Sequence, residues 1–161
     1  MIDALRDYYT TINSNIHRGV HYLSQQATLA FEETRQLVSE YVHARHGYEI
    51  IFTKGATESI NLVASSFGRE FVKPGDEIVI SAMEHHANIL PWQLMCAEKG
   101  ATLRIIPFHV NGELIQEAYR DLLNDKTRLV AITHVSNALG TINQVREMIA
   151  LAHEHGIPVL V

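Results

Sequence analysis

The chain has 161 residues, of which 47% are hydrophobic and 19% charged, and its formal net charge is −5. That length fits one globular domain, and the apolar content offsets chain entropy without cross-links, which excludes a disordered chain, a collagen-like repeat and a disulfide scaffold. The acidic balance gives no footprint for nucleic acid; no apolar run approaches the roughly 20 residues of a membrane span, and Asp3, Arg6 and Asp7 leave no visible signal peptide, so neither nucleic acid nor a membrane is an expected partner.

In chain order, Ile2 to Thr11 reads as a helix, which Asn13-Ser14-Asn15 interrupts with residues that favour turns and caps. From about Ser24 to Ala44, Ala27, Ala30, Phe31, Thr34, Val38, Tyr41 and Val42 recur at steps of three and four, the apolar stripe of a long helix. Glu49-Ile50-Ile51-Phe52-Thr53 predicts a short β-branched strand, followed by Gly55 and a helix from Ala56 to about Phe67, together a first strand–helix unit. Lys73-Pro74-Gly75-Asp76 is turn chemistry that leads into a buried strand at Glu77 to Ser81. The alternation repeats. A helix near Trp92 to Lys99 stops at Gly100, and a strand at Thr102 to Ile106 and a turn at Asn111-Gly112 follow. Then come a helix over Glu113 to Leu123, a strand at Arg128 to Thr133, a helix at Gln144 to His155 and an apolar run at Ile157 to Val161.

Strands alternating with helices predict an α/β fold, a mainly parallel sheet flanked by helices, with ligands gathering at the carboxyl ends of the strands. No linker, low-complexity tract or repeat divides the sequence. The expected boundary is therefore the change from the all-helical residues 1–47 to the α/β residues 48–161. An apolar final strand without a polar tail predicts that the α/β part is incomplete. The single cysteine, Cys96, has no internal partner, which fits a reducing compartment and a cytoplasmic location.

Three segments concentrate the chemistry. In Phe52-Thr53-Lys54-Gly55-Ala56-Thr57-Glu58 a glycine and a threonine open a helix, whose free N–H groups and positive dipole end suit a phosphate monoester on the Ala56 and Thr57 amides and the Thr57 hydroxyl. A plain Thr57 N-cap supported by Glu58 is the other reading of the same residues. Neither G-x-x-x-x-G-K-[ST] nor G-x-G-x-x-G occurs. In Ser81-Ala82-Met83-Glu84-His85-His86-Ala87-Asn88, just past a strand, a histidine can stack on an aromatic ring or move protons near neutral pH. No metal is expected there, because the ligand spacing of H-E-x-x-H or of a Cys/His cluster is missing. In Thr133-His134-Val135-Ser136-Asn137-Ala138-Leu139-Gly140-Thr141, Asn137 can donate an amide N–H to an oxyanion or serve the turn. His17 and His21, separated by Arg18-Gly19 after a turn, read as surface or capping residues, and Cys96, flanked by Met95 and Ala97, reads as core.

Taken jointly, Asn15-Ile16-His17-Arg18-Gly19, Gly55-Ala56-Thr57-Glu58, the run Met83 to Trp92 and Thr133-His134-Val135-Ser136-Asn137 resemble the pyridoxal-phosphate cysteine desulfurases. The similarity is strongest to the group II, SufS-type enzymes of iron–sulfur cluster assembly, and Glu84-His85-His86-Ala87-Asn88 is its most specific part. The resemblance implies the large domain of a type I pyridoxal-phosphate transferase, with pyridoxal 5'-phosphate as cofactor. It implies Ala56 and Thr57 at the cofactor phosphate, and His85 stacked on the pyridine ring as catalytic proton shuttle. Asn137 falls near the phenolic oxygen and the substrate carboxylate, and His17, Arg18 and Glu58 near the active-site mouth, where two subunits meet. The implied reaction moves sulfur from L-cysteine to a protein persulfide and releases alanine, in a homodimer served by a SufE- or SufU-like acceptor.

The family's aspartate at the pyridine nitrogen, its Schiff-base lysine and its sulfur-accepting cysteine have no counterpart here. Lys54, Lys73, Lys99 and Lys126 lie outside a Ser-x-His-Lys setting, Cys96 is in the wrong segment, and the family's Asn-Ala-Ala-Thr strand is missing. The chain is therefore expected to be an internal, separately inactive fragment of the large domain. Selenocysteine lyase, another enzyme of the class V aminotransferase fold, or a non-catalytic α/β phosphate-binding module are the competing expectations.

Overall fold

The computed structural model describes residues 1–161, which form two compact units, Met1–Phe52 and Thr53–Val161. In the first unit, helix α1 (Ile2–Asp7) runs into a wider π-helical turn at Tyr8–Ile12, and helix α2 spans Tyr22–Tyr41. His21 caps α2 by accepting the Ser24 N–H at Nδ1, 3.4 Å away.

Residues 49–53, expected as a strand, are not one. A single 3₁₀ turn at Gly47–Glu49 gives way to irregular chain. A β-branched run becomes a strand only with a ladder partner, and none of the strands pairs with it. Ile51 and Phe52 are 66% and 44% exposed. What stabilises the segment is Arg35, whose Nη1 donates to the Ile50 carbonyl at 2.5 Å and whose guanidinium lies 5.0 Å and 5.8 Å from the Phe31 and Phe52 rings.

The second unit follows the predicted alternation, with its first two strands at the expected bounds and the other ends shifted by at most four residues. It runs α3 (Ala56–Phe71), β1 (Glu77–Ser81), α4 (Leu90–Lys99), β2 (Thr102–Ile106), α5 (Gln116–Leu122), β3 (Thr127–Ala131), α6 (Val145–Glu154) and β4 (Val159–Leu160). Helix α5 begins three residues later than expected because His109 to Glu113 close a tight turn, with an antiparallel bridge between Phe108 and Leu114. Gly100, at φ 69°, ends α4 in the left-handed region that glycine adopts at no steric cost.

All four strands are parallel, in the order β2-β1-β3-β4. Successive side chains point to opposite faces, so Ile78, Ile80, Leu129 and Ala131 pack with Ala64 of α3 and with Trp92, Met95 and Cys96 of α4. Val79, Val130 and Ile132 pack on the other face with Tyr119 and Leu122 of α5 and with Met148 and Ala152 of α6. Both faces of β1 and of most of β3 are covered, which explains their apolar runs Ile78-Val79-Ile80 and Leu129-Val130-Ala131, whereas β2 lies at the sheet edge with Arg104 and Ile105 exposed. From β1 the chain continues outward to β2 on one side, and from β3 outward to β4 on the other. The order reverses between β1 and β3, and a crevice opens beyond their carboxyl ends.

Candidate functional site

A cleft of about 450 Å³ occupies that crevice. The loop after β1 supplies Glu84, His85 and Asn88, the end of β3 supplies Ile132 and Thr133, and α3 supplies Ala56, Ser59 and Ile60. Its volume falls in the usual range for small-molecule sites.

The α3 end of the cleft is a helix N-terminus without a side-chain cap, and Gly55 is the cap residue. The first amides of a helix lack partners within it, so those of Ala56 and Thr57 remain available as donors. Thr57 is not the cap; it lies inside the first turn. Glu58 reaches back to accept the Lys54 N–H at 2.5 Å, and Thr53 and Ser59 join their hydroxyls at 2.7 Å, which fixes the approach of the chain to the helix. A Cβ added at Gly55 would meet no protein atom within 4 Å, so the space before this helix end is open.

On the opposite wall, His85 is exposed and starts a 3₁₀ turn over His86–Asn88. Its Nδ1 accepts the Ala87 N–H at 3.1 Å, which leaves Nε2 to carry the proton of the neutral ring. Glu84, half-buried beside it, ties this loop down. Ser81 Oγ donates to Oε1, the Thr133 N–H donates to Oε1 at 2.9 Å, and Asn88 Nδ2 donates to Oε2 at 2.8 Å. Behind Asn88, the indole N–H of the fully buried Trp92 donates to Asn88 Oδ1 at 2.8 Å.

Asn137 lies exposed on a hairpin that leaves the end of β3. The hairpin closes through a bridge between Val135 and Ile142, and the buried Ser136 accepts the Leu139 N–H at its hydroxyl. Asn143, also buried, anchors its base by donating Nδ2 to the Thr133 carbonyl at 2.8 Å. Thr133 is thus held at its N–H by Glu84 and at its C=O by Asn143.

The structure brings Ala56 and His85 to one cleft, with Thr57 and Glu58 in the adjoining first turn of α3. Asn137 is not part of the cleft lining. His17 and Arg18 belong to the first unit. There His17, at φ 64°, pairs Nε2 with Glu32 at 3.2 Å and sets its ring edge-on to Phe31, and Arg18 is exposed. Cys96 is buried in α4, and that burial pushes its thiol up to about 11, so it is packing rather than nucleophile. Glu84 and Asn88 fall in a loop that the sequence marks as informative, yet neither carries a role there. The one available signal is a carboxylate and an amide four residues apart just past a buried strand, bracketing a histidine.

The class-V aminotransferase family matches residues 1–161. The cysteine desulfurase of Salmonella typhimurium strain LT2 is 52% identical over 161 residues, covering 100% of this chain and 40% of the relative. The apo cysteine desulfurase of Thermococcus onnurineus NA1 superimposes with a TM-score of 0.92 at 40% identity, covering 98% of this chain and 39% of that one. The S-sulfonic acid form of the cysteine desulfurase CsdA from Escherichia coli gives 0.84 at 31% identity, covering 98% and 40%. The chain spans about 40% of the length of the curated relatives it matches.

Proposed function

Because this chain belongs to the class-V aminotransferase family, whose members are pyridoxal-phosphate dependent, we propose that it carries the phosphate and ring side of the cofactor pocket of a cysteine desulfurase. The observation that carries this reading is the uncapped α3 N-terminus and His85 facing one cleft at the switch point of the sheet. These residues fit the cofactor. The free amides and the open space before Gly55 accept a phosphate dianion, and an exposed imidazole with one fixed nitrogen suits a flat, electron-poor ring.

The Ala56 and Thr57 N–H groups and the Thr57 hydroxyl would hold the phosphate. His85 would cover the ring and move a proton at Nε2, while its Nδ1 is engaged with the Ala87 amide. By resemblance to the family, Asn137, on the hairpin outside the cleft lining, would serve the phenolic oxygen and the substrate carboxylate, and His17, Arg18 and Glu58 would belong to the mouth formed in the complete homodimer. When bound, pyridoxal 5'-phosphate supplies the electron sink that lets the C–S bond of L-cysteine break. The products are L-alanine and a persulfide on a cysteine outside these 161 residues, because Cys96 is buried and none of the cleft's lining residues is a lysine or cysteine. The complete protein is a SufS-type homodimer of the cytoplasm that passes sulfur to a SufE- or SufU-like acceptor for iron–sulfur assembly.

The test is to load the complete protein with pyridoxal 5'-phosphate and supply L-cysteine. Alanine released with matching persulfide is the expected result, and a protein that retains no bound cofactor overturns the reading. The isolated 161-residue chain should lose its imine absorbance on dialysis.

A further inference from the structure

We propose that Glu84 is a positioning residue, an acceptor-only brace that holds the His85 loop and the Asn137 hairpin in register across the mouth of the cleft. The inference rests on the cysteine desulfurase reading for its functional consequence and on hydrogen bonding for its structure. Glu84 receives three donors from three places: the Ser81 hydroxyl at the end of β1, the Thr133 backbone N–H at the end of β3, and the Asn88 amide that closes the turn around His85. Its link to Thr133 crosses 49 residues of sequence, and no lysine, arginine or histidine comes within ion-pair distance of it.

The direction of every bond in this network is fixed from one end. The Trp92 indole is a donor and nothing else, so Asn88 must turn its oxygen toward Trp92 and its NH₂ toward Glu84. A backbone N–H is likewise a donor only, so Thr133 demands an acceptor at Oε1. Only a group that accepts at both ends satisfies the site, and a carboxylate does so. A glutamine of the same shape sets its own NH₂ against either Asn88 or Thr133. Asn88 cannot flip to accommodate it without opposing the indole N–H.

The consequence reaches His85 because the same turn fixes its ring. Asn88 N–H donates to the His85 carbonyl at 2.8 Å while the Asn88 side chain is tied to Glu84, so the residues on either side of His85 are held by one carboxylate. The consequence reaches Asn137 because Thr133 is the residue from which the hairpin departs. Catalytic groups displaced by about 1 Å cost on the order of 10²-fold in rate, so a brace shared by two loops acts on turnover more than on substrate affinity.

The experiment uses Glu84→Gln, Asn88→Asp and the double variant in the complete protein. Without cofactor, hydrogen exchange of the Thr133 amide should speed up about tenfold in Glu84→Gln. With cofactor, kcat should fall about tenfold or more with KM little changed. Asn88→Asp sets carboxylate against carboxylate and should do the same, which supplies the test if Glu84→Gln does not fold. The double variant restores the donor order: the new side-chain amide at position 84 donates to a carboxylate at position 88 that still accepts from Trp92. Exchange and kcat should then both return toward wild type. Wild-type exchange and turnover in both single variants, or a double variant no better than the singles, overturns the brace. A wild-type protein that takes up no pyridoxal 5'-phosphate overturns the desulfurase reading instead, and the cofactor-free exchange rates still decide the brace.

Discussion

At the amino end of β1, Asp76 accepts the Lys73 backbone N–H at 2.8 Å and meets Arg128 Nε at 3.0 Å. At the carboxyl end, Glu84 is surrounded by a hydroxyl, a backbone amide and a side-chain amide, all neutral. Next to Asp76, Glu77 again faces a cation, Arg104 at 3.6 Å, and takes a hydrogen bond from Asn124 at 3.0 Å. One end of the sheet cancels its charges in pairs, and the other orients an uncancelled carboxylate with dipoles. Charge pairing at the amino end engages both carboxylates, which ties neighbouring segments together. At the carboxyl end the amides of α3 and the His85 ring stay free, which is what a binding site requires.

The largest effect separating the two ends is expected from His85→Ala in the complete protein. Turnover should fall about 10²-fold, the usual scale for removing a proton-transfer group, with the melting temperature nearly unchanged because the ring is exposed. Alanine release alongside thermal unfolding would measure both, and unchanged turnover would remove the carboxyl end from the chemistry.

Asp76→Asn probes the opposite end. Burial pushes the Asp76 carboxyl up, but the Arg128 hydrogen bond, the Lys73 amide and the positive charges of Arg128 and Lys73 outweigh it, so it titrates below its ordinary 3.8. A depressed carboxylate contributes stability that is complete above its unfolded value and disappears as the pH falls through the folded one. The variant should therefore lose about 2 kcal/mol at neutral pH, keep its turnover, and show a flatter acid limb below pH 3.8. Urea midpoints across that range check the sign, and an equally steep limb in the variant would assign the acid sensitivity elsewhere.

Arg104→Ala tests the weaker of the two charge pairs. The Arg104 side chain is 46% exposed and its contact with Glu77 is long, so the loss should not exceed about 0.5 kcal/mol in a denaturant titration. A larger effect would mean that the amino end is one network rather than two pairs.

Much of the second unit is legible in the sequence. Strand β1, buried on both faces with Val79 and Ile78 equally hidden, leaves an unbroken apolar signature, and turn chemistry at Pro74-Gly75 and Asn111-Gly112 marks two of the breaks between elements. Residues 49–53 mislead for the same reason. A β-branched run records the propensity for a strand and cannot record the absence of a neighbour. Ala56 and His85 are legible as candidates because one follows Gly55 at a helix start and the other lies on the loop four residues past the end of β1. The role of Glu84 is not legible, since its Thr133 partner lies 49 residues away and the bond is to a backbone N–H, which any residue but proline provides.

Cys96, in α4 against the sheet, makes the motion of that helix measurable. Burial pushes its thiol up to about 11, which disfavours the reactive thiolate at neutral pH, and the sulfur is shielded as well. An alkylating reagent added to the native protein must therefore wait for α4 to lift away. The rate at which Cys96 is labelled counts those openings, giving one face of the sheet its own clock.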